Sequence, residues 1–174
     1  MPKKIVHIGL LSDTHGHWDE RMDHHLQGCH EIWHAGDIGR IDLIDHMNQL
    51  ALTKTRIVFG NIDDSQIRSE TSEMLQWSID GISFLMQHIG GRPNRYAKGV
   101  RDQLGQLRPD VFICGHSHLL KITRDASFGG LYLNPGAAGF HGFHHKRTLL
   151  RFEVSDGTIH NMRVIELGNR LKNA

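Results

Sequence analysis

Strand-length and helix-length blocks alternate along the first third of the chain. Runs at 7–11, Glu31–His34 and 56–59 have strand length, and helix-length stretches at 19–27 and 41–50 separate them. In the second of these stretches Ile41, Ile44, Met47 and Leu50 recur every three residues and share one face. The order strand, helix, strand, helix, strand predicts parallel strands joined by right-handed crossovers, with helices covering the sheet.

The pattern then changes. Met74–Ile79 and Ile82–Gln87 flank Asp80-Gly81, a two-residue hairpin signal. A helix is expected from about 95 to 107, ending ahead of Pro109. Strands are expected at 111–114, 119–123, 131–133, 148–154 and 158–165, the last two flanking the tight turn Ser155-Asp156-Gly157. The expectation is a mixed α/β fold with two packed β-sheets and helices outside them. No repeat, low-complexity tract or linker interrupts the chain, which reads as a single domain over 1–174 with no insertion long enough to form a cap.

Composition narrows the class. With 39% hydrophobic and 22% charged residues over 174 positions, the chain can bury a full core without disulfide or metal staples. Twenty Lys+Arg against 19 Asp+Glu leave a formal charge of +1, no basis for strong nucleic-acid or membrane-surface binding. No apolar run approaches the roughly 20 residues of a membrane span. The opening MPKKIVHIGLLSD is basic and then apolar, as a signal peptide would be, but its apolar run is short, lacks a small-residue cleavage site and ends in Asp13. It reads better as a first buried strand, and the protein as cytoplasmic. Cys29 and Cys114 are not closely spaced, and Cys114 lies in an apolar run as a reduced core thiol would. The unusual count is histidine, at 15.

Five apolar runs end in a polar or metal-competent side chain. HIGLLS runs into Asp13, with His15 two residues on; EIWHAG into Asp37; RIVFG into Asn61; SFLMQ into His88; and VFICG into His116, with His118 two residues on. In a largely parallel sheet such ends line one edge, where ligand crevices form. Successive spacings of 24, 24, 27 and 28 residues allow one strand-helix or hairpin unit per ligand. Four imidazoles, two carboxylates and one amide are too poor in sulfur for a structural zinc site and too rich in imidazole for Mg or Ca. They suit Mn foremost, or Ni, Co, Fe or Zn. Seven ligands exceed one ion's needs and fit two ions sharing a carboxylate. Two ions about 3.5–4 Å apart can clamp a phosphoryl group and turn a bridging water into hydroxide near neutral pH. Gly36, Gly60 and Gly115 immediately precede Asp37, Asn61 and His116, permitting tight turns and close approach of backbone to an anion.

The blocks SDTHG, GDIG and GNID, the lone His88 and GHSH resemble the ordered signature of the calcineurin-like metallophosphoesterases, over residues 5 to 139. The short chain and the NPGAAG segment resemble the YfcE-type phosphodiesterase branch. The resemblance implies a four-layer αββα sandwich and a dinuclear metal-dependent hydrolysis of a phosphodiester, ahead of a monoester, with a nucleotide or other small diester as the default substrate. It implies Asp13, His15, Asp37 and His118 on one metal and Asp37, Asn61, His88 and His116 on the other, with Asp37 bridging and Asn61 helping to hold the phosphate. It also implies a homo-oligomer, dimer or tetramer.

The sequence departs from the common pattern at Ile62, where many relatives have a histidine that contacts the phosphate and assists the leaving group. His17, one turn beyond two ligands, and His141, after NPGAAG, are candidate replacements as acid. Arg92 and Arg95 are candidate phosphate contacts. The other histidines have plainer readings: His24, His25, His30 and His46 as surface residues, and His144 and His145 with Lys146 and Arg147 as a basic exposed turn. His7 and His34 are hydrogen-bonded core imidazoles, or His34 orients a ligand. Trp18, Trp33 and Trp77 are packing anchors. Asp63 and Asp64 either orient the Asn61 loop or form an ordinary polar turn. A retromer subunit of vacuolar sorting shares the implied fold, so a non-catalytic scaffold is the competing reading. A histidine-rich metal carrier is a third, and it poorly explains ligands placed at strand ends.

Overall fold

The computed structural model describes residues 5–171; Lys3 and Lys4, the basic start of the leader considered above, lie outside them. Two five-stranded mixed sheets carry the fold. In the first, β1 (Val6–Leu11), β2 (Glu31–His34) and β3 (Lys54–Ile57) run parallel, and β11 (Lys146–Ser155) and β12 (Thr158–Asn169) extend it in the order β12-β11-β1-β2-β3. In the second, β4 (Met74–Ile79), β5 (Ile82–Gln87), β8 (Val111–Ile113), β10 (Gly130–Asn134) and β9 (Lys121–Asp125) lie in the order β4-β5-β8-β10-β9, with β5, β8 and β10 parallel.

Three apolar clusters separate four layers. Ile8, Leu10 and Trp33 of the first sheet meet Phe84, Met86 and Ile113 of the second in the central core. Trp33 sits at its middle, edge-on to Trp77, Phe84 and Phe152. On the outer face of the first sheet pack Met22 and Leu26 of α1 (Glu20–Leu26), Leu43, Ile44 and Met47 of α2 (Asp42–Leu50), and Ile67 of α3 (Ser65–Glu70). Val100 and Leu104 of α4 (Val100–Leu107) cover the second sheet against Leu85 and Phe112. The αββα sandwich is therefore the product of central strands buried on both faces and helices with one apolar stripe each. No helix of the described residues is long and apolar enough to cross a membrane.

Several elements differ from the sequence reading. The helix expected from 95 begins only at Val100, behind Gly99 at φ 82°. Arg95–Tyr96 (β7) pairs instead with Gly91–Arg92 (β6), around a turn with Asn94 at φ 69°. Left-handed Gly91 and Asn94 turn the chain back on itself, overriding the propensity of the segment. The short helix α3 was not anticipated; its six residues bury only Ile67, too little to leave a periodic signal. Asp64 caps it, accepting from the Ile67 amide at 3.0 Å. The stretch 144–147 is not an exposed basic turn throughout: His145 and Lys146 are exposed, but His144 and Arg147 are buried. Arg147 donates to Ala138 O at 2.7 Å and Asp19 Oδ2 at 3.0 Å, with Phe140 under its guanidinium, so the fold neutralises it. His7 is half-exposed beside Glu153 rather than in the core.

Candidate metal centre

Because β1, β2 and β3 run parallel in one sheet and β5 and β8 in the other, their carboxyl ends meet at one edge of the sandwich. The loops leaving them are tied to each other through the backbone. Asp13 N donates to Gly36 O at 2.9 Å, His15 N to Asp37 O at 3.0 Å, Gly115 N to His88 O at 3.0 Å, and Gly139 N to Asp13 O at 3.0 Å. The His116 amide crosses between sheets to Asp13 Oδ2 at 3.1 Å.

The convergence makes two groups of donors. Asp13, His15 and His118 offer ligand atoms within 4.8 Å of one another, and so do Asp37, His88 and His116. Asp37 lies between them, with Oδ2 3.6 Å from His15 Nε2 and Oδ1 3.2 Å from His88 Nε2. Asn61 lines the cavities on both sides of the centre. All seven sequence candidates thus come to one place.

Two buried atoms there, Asp13 Oδ1 and His88 Nε2, have no hydrogen-bond partner. Asp13 Oδ1 is 3.1 Å from His118 Nε2, and His88 Nε2 faces Asp37 Oδ1, close enough for electrostatic attraction but without hydrogen-bond geometry. His88 Nδ1 lies 2.8 Å from Ala35 O, so that nitrogen carries the proton and the bare lone pair is on Nε2. A buried acceptor oxygen and a buried imidazole lone pair left without donors are costly unless a cation meets them. Their nitrogen and carboxylate chemistry fits divalent transition metals.

Local electrostatics mark the edge as a concentration of negative charge that attracts cations, protons included. Burial works to raise Asp37, but His88 and the Ile62 amide, 3.1 Å from Oδ1, outweigh it and hold the carboxyl below its usual range. Burial opposes charge on His88, yet the neighbouring carboxylates lift it. The Asp13 carboxylate lifts His118, whereas burial lowers His15.

The supporting shell explains how the donors are held. Asp63 accepts from Gly39 N at 2.8 Å and Gly60 N at 2.7 Å, which pins the Asp37 loop to the Asn61 loop and decides its role. His34 accepts from Gly36 N at 3.1 Å through Nδ1 and donates through Nε2 to Thr14 Oγ1 at 2.9 Å, which in turn donates to Ile38 O at 3.0 Å. That chain requires a neutral ring, and burial depresses its pKa to about 4. A Cβ at Gly60 would overlap Asp37 Oδ1 and stand 2.8 Å from Cγ; one at Gly36 would stand 2.5 Å from His88 Nδ1. The close approaches these glycines permit are to the candidate ligands Asp37 and His88.

The backbone carries a signal the sequence reading missed. Ten non-glycine residues have positive φ among the described residues, and five are Asp13 (55°), His15 (47°), Asp37 (57°), His116 (65°) and His118 (57°). Backbone strain concentrated on candidate ligands marks a functional site.

The remaining candidates separate. The His141 ring stands 4.6 Å from that of His15, and the residue lines the cavity shared by His15, Asp37 and His118. His17 turns to Asp19, 3.2 Å away, and packs on Phe140. Arg92 and Arg95 face each other across the β6–β7 ribbon and line neither cavity at Asn61. The cations that do line one are Arg68 and Lys98, which the sequence reading passed over. His144 reaches the centre's edge, its ring 5.4 Å from that of His118 and its Nε2 donating to Gly139 O.

A family model described as the calcineurin-like phosphoesterase superfamily domain matches residues 6–157. The chain belongs to the calcineurin-like phosphoesterases. Solved structures similar to this calcineurin-like chain include a novel archaeal phosphodiesterase, 19% identical, TM-score 0.69, covering 93% of this chain and 100% of that one. A conserved uncharacterized protein from Streptococcus pneumoniae, described as a predicted phosphoesterase, is 19% identical with TM-score 0.64, covering 94% and 98%. Wild-type Vps29 from Entamoeba histolytica complexed with Zn2+ is 19% identical with TM-score 0.64, covering 92% and 99%. At such identities the likeness speaks for the fold. No curated protein matches the sequence.

Proposed function

We propose that the protein hydrolyses a small phosphodiester, such as a nucleotide, using two divalent cations, manganese foremost and Ni, Co, Fe or Zn as alternatives. Asp13, His15, Asp37 and His118 would hold one cation, and Asp37, Asn61, His88 and His116 the other. The observation that carries this reading is Asp37, whose two oxygens address the two donor groups separately. When bound, such a pair supplies Lewis-acid charge at the phosphoryl group and acidifies a water near neutral pH. Asn61, exposed between the two cavities, orients the phosphate through its amide. Water adds to phosphorus, the P–O bond to the leaving arm breaks, and the departing oxygen takes a proton. Ile62 cannot give that proton; in this reading His141, on the wall of the same cavity, gives it.

The competing reading, a non-catalytic scaffold of the same fold, draws on the similarity to Vps29 structures. The filled donor groups favour hydrolysis. The test is metal analysis of the purified protein, then a phosphoester screen with Mn, Ni, Co and Zn. Asp37→Asn should lose metal occupancy and turnover together. A variant as active as wild type would show that the shared carboxylate is misassigned.

A further inference from the structure

We propose that the substrate is an unsymmetrical phosphodiester, one arm apolar or aromatic and the other carrying a second negative charge; this rests on the hydrolytic reading above. Two unlike cavities meet at Asn61. One, about 470 Å³, has donors of both groups in its wall and an apolar rim of Ile62, Leu119 and Phe143. These three are 45%, 61% and 97% exposed, apolar surface gathered at the mouth of a polar floor. The other, about 550 Å³, borders His88 and sets Lys98 and Arg68 against a single acid, Glu73. Arg68 is committed: it donates to Asp63 O at 2.7 Å and Gly60 O at 3.0 Å and lies 4.4 Å over the Phe59 ring. Lys98, exposed, is the cation left to meet charge on a ligand.

A phosphoryl group held at Asn61 sends its two ester oxygens toward different sides. A monoester fills one cavity and leaves the other empty, whereas a diester fills both. Burying part of the exposed Phe143 ring strengthens binding of an apolar arm by about fivefold to tenfold for some 40–60 Å² of contact. An exposed ion pair to Lys98 adds about threefold, and less as salt rises.

The test uses two p-nitrophenyl phosphodiesters whose second arm is propyl or 2-carboxyethyl, assayed with the metal-loaded protein. Wild type should prefer the carboxyethyl ester about threefold in kcat/KM at low salt. Lys98→Ala should bring that ratio to about one, while Phe143→Ala should keep the ratio and raise KM for both esters about fivefold. Both side chains are exposed, so neither change threatens folding. A wild-type ratio of one, a ratio that survives Lys98→Ala, or an unmoved KM in Phe143→Ala overturns the inference while leaving hydrolysis standing. If neither ester releases nitrophenol with any metal, the hydrolytic reading falls and this inference falls with it.

Discussion

Replacing Gly60 by alanine perturbs Asp37 without substituting any of the seven proposed ligands. Gly60 does not have a positive φ, so the change imposes no backbone penalty and acts through one methyl group. That methyl would overlap Asp37 Oδ1 and the Asp37 amide nitrogen and stand 2.8 Å from Cγ. Carbon–carbon contacts settle near 3.5–4.0 Å, so the carboxylate must retreat by about 1 Å. Overpacking of this kind costs about 1–3 kcal/mol of stability. A displacement of about 1 Å at a reacting centre lowers turnover by about 10²-fold. Gly105→Ala is the matched control: the site is exposed, in mid-α4 with nothing within 4 Å, and alanine there should stabilise by about 0.8–1 kcal/mol with activity unchanged. Calorimetric titration with Mn2+ and turnover of a nitrophenyl diester give the readout. Gly60→Ala should bind fewer equivalents than wild type, and its effect on turnover should not add to that of Asp37→Asn, because both changes act on residue 37. Full stoichiometry with turnover within twofold of wild type would refute the steric argument.

Two further predictions follow from the supporting shell and the missing acid. His34 is fully buried with its pKa depressed to about 4 from 6.5, so the unfolded chain binds the extra proton first as pH falls. Its contribution is complete above about pH 6.5 and declines toward pH 4; between pH 7 and 5 the loss is about 2 kcal/mol, and His34→Gln should remove it. Urea unfolding of both proteins with chelator present checks this, and a wild-type-minus-variant difference equal at the two pH values would contradict it. His141→Ala should lose about 10²-fold on alkyl esters and little on nitrophenyl esters, while His17→Ala, directed at Asp19, should do neither. A flat dependence of the His141→Ala defect on leaving-group pKa would remove His141 as the acid.

The parts of the site legible in the sequence are those where one residue follows directly on a buried strand. Asp13, Asp37, His88 and His116 announce themselves because apolar runs end just before them. The amphipathic stripe of α2 was readable for the same local reason, and Ile44 and Met47 are buried where the spacing put them. What stayed hidden depends on partners far along the chain. Arg147 is buried because Asp19, 128 residues away, accepts from it. Asp63 is a clamp because Gly39, 24 residues earlier, donates to it. The strand β7 was read as the start of the following helix because its pairing with β6 depends on the left-handed turn at Asn94.

The left-handed backbone at the ligands bears on whether this centre works or is a relic. Each non-glycine residue held there costs about 1–2 kcal/mol, so the five donors together forgo roughly 5–10 kcal/mol, comparable to the whole stability of a typical domain. Two buried donor atoms without partners add to that cost. A surface used only to dock another protein needs neither the strain nor the buried lone pairs, and relaxing them would stabilise the fold at no loss to docking. Cations meeting Asp13 Oδ1 and His88 Nε2, as proposed, would offset both costs and give the strained loops a reason to persist. On the hydrolytic reading, the same geometry would hold the donors fixed before substrate arrives.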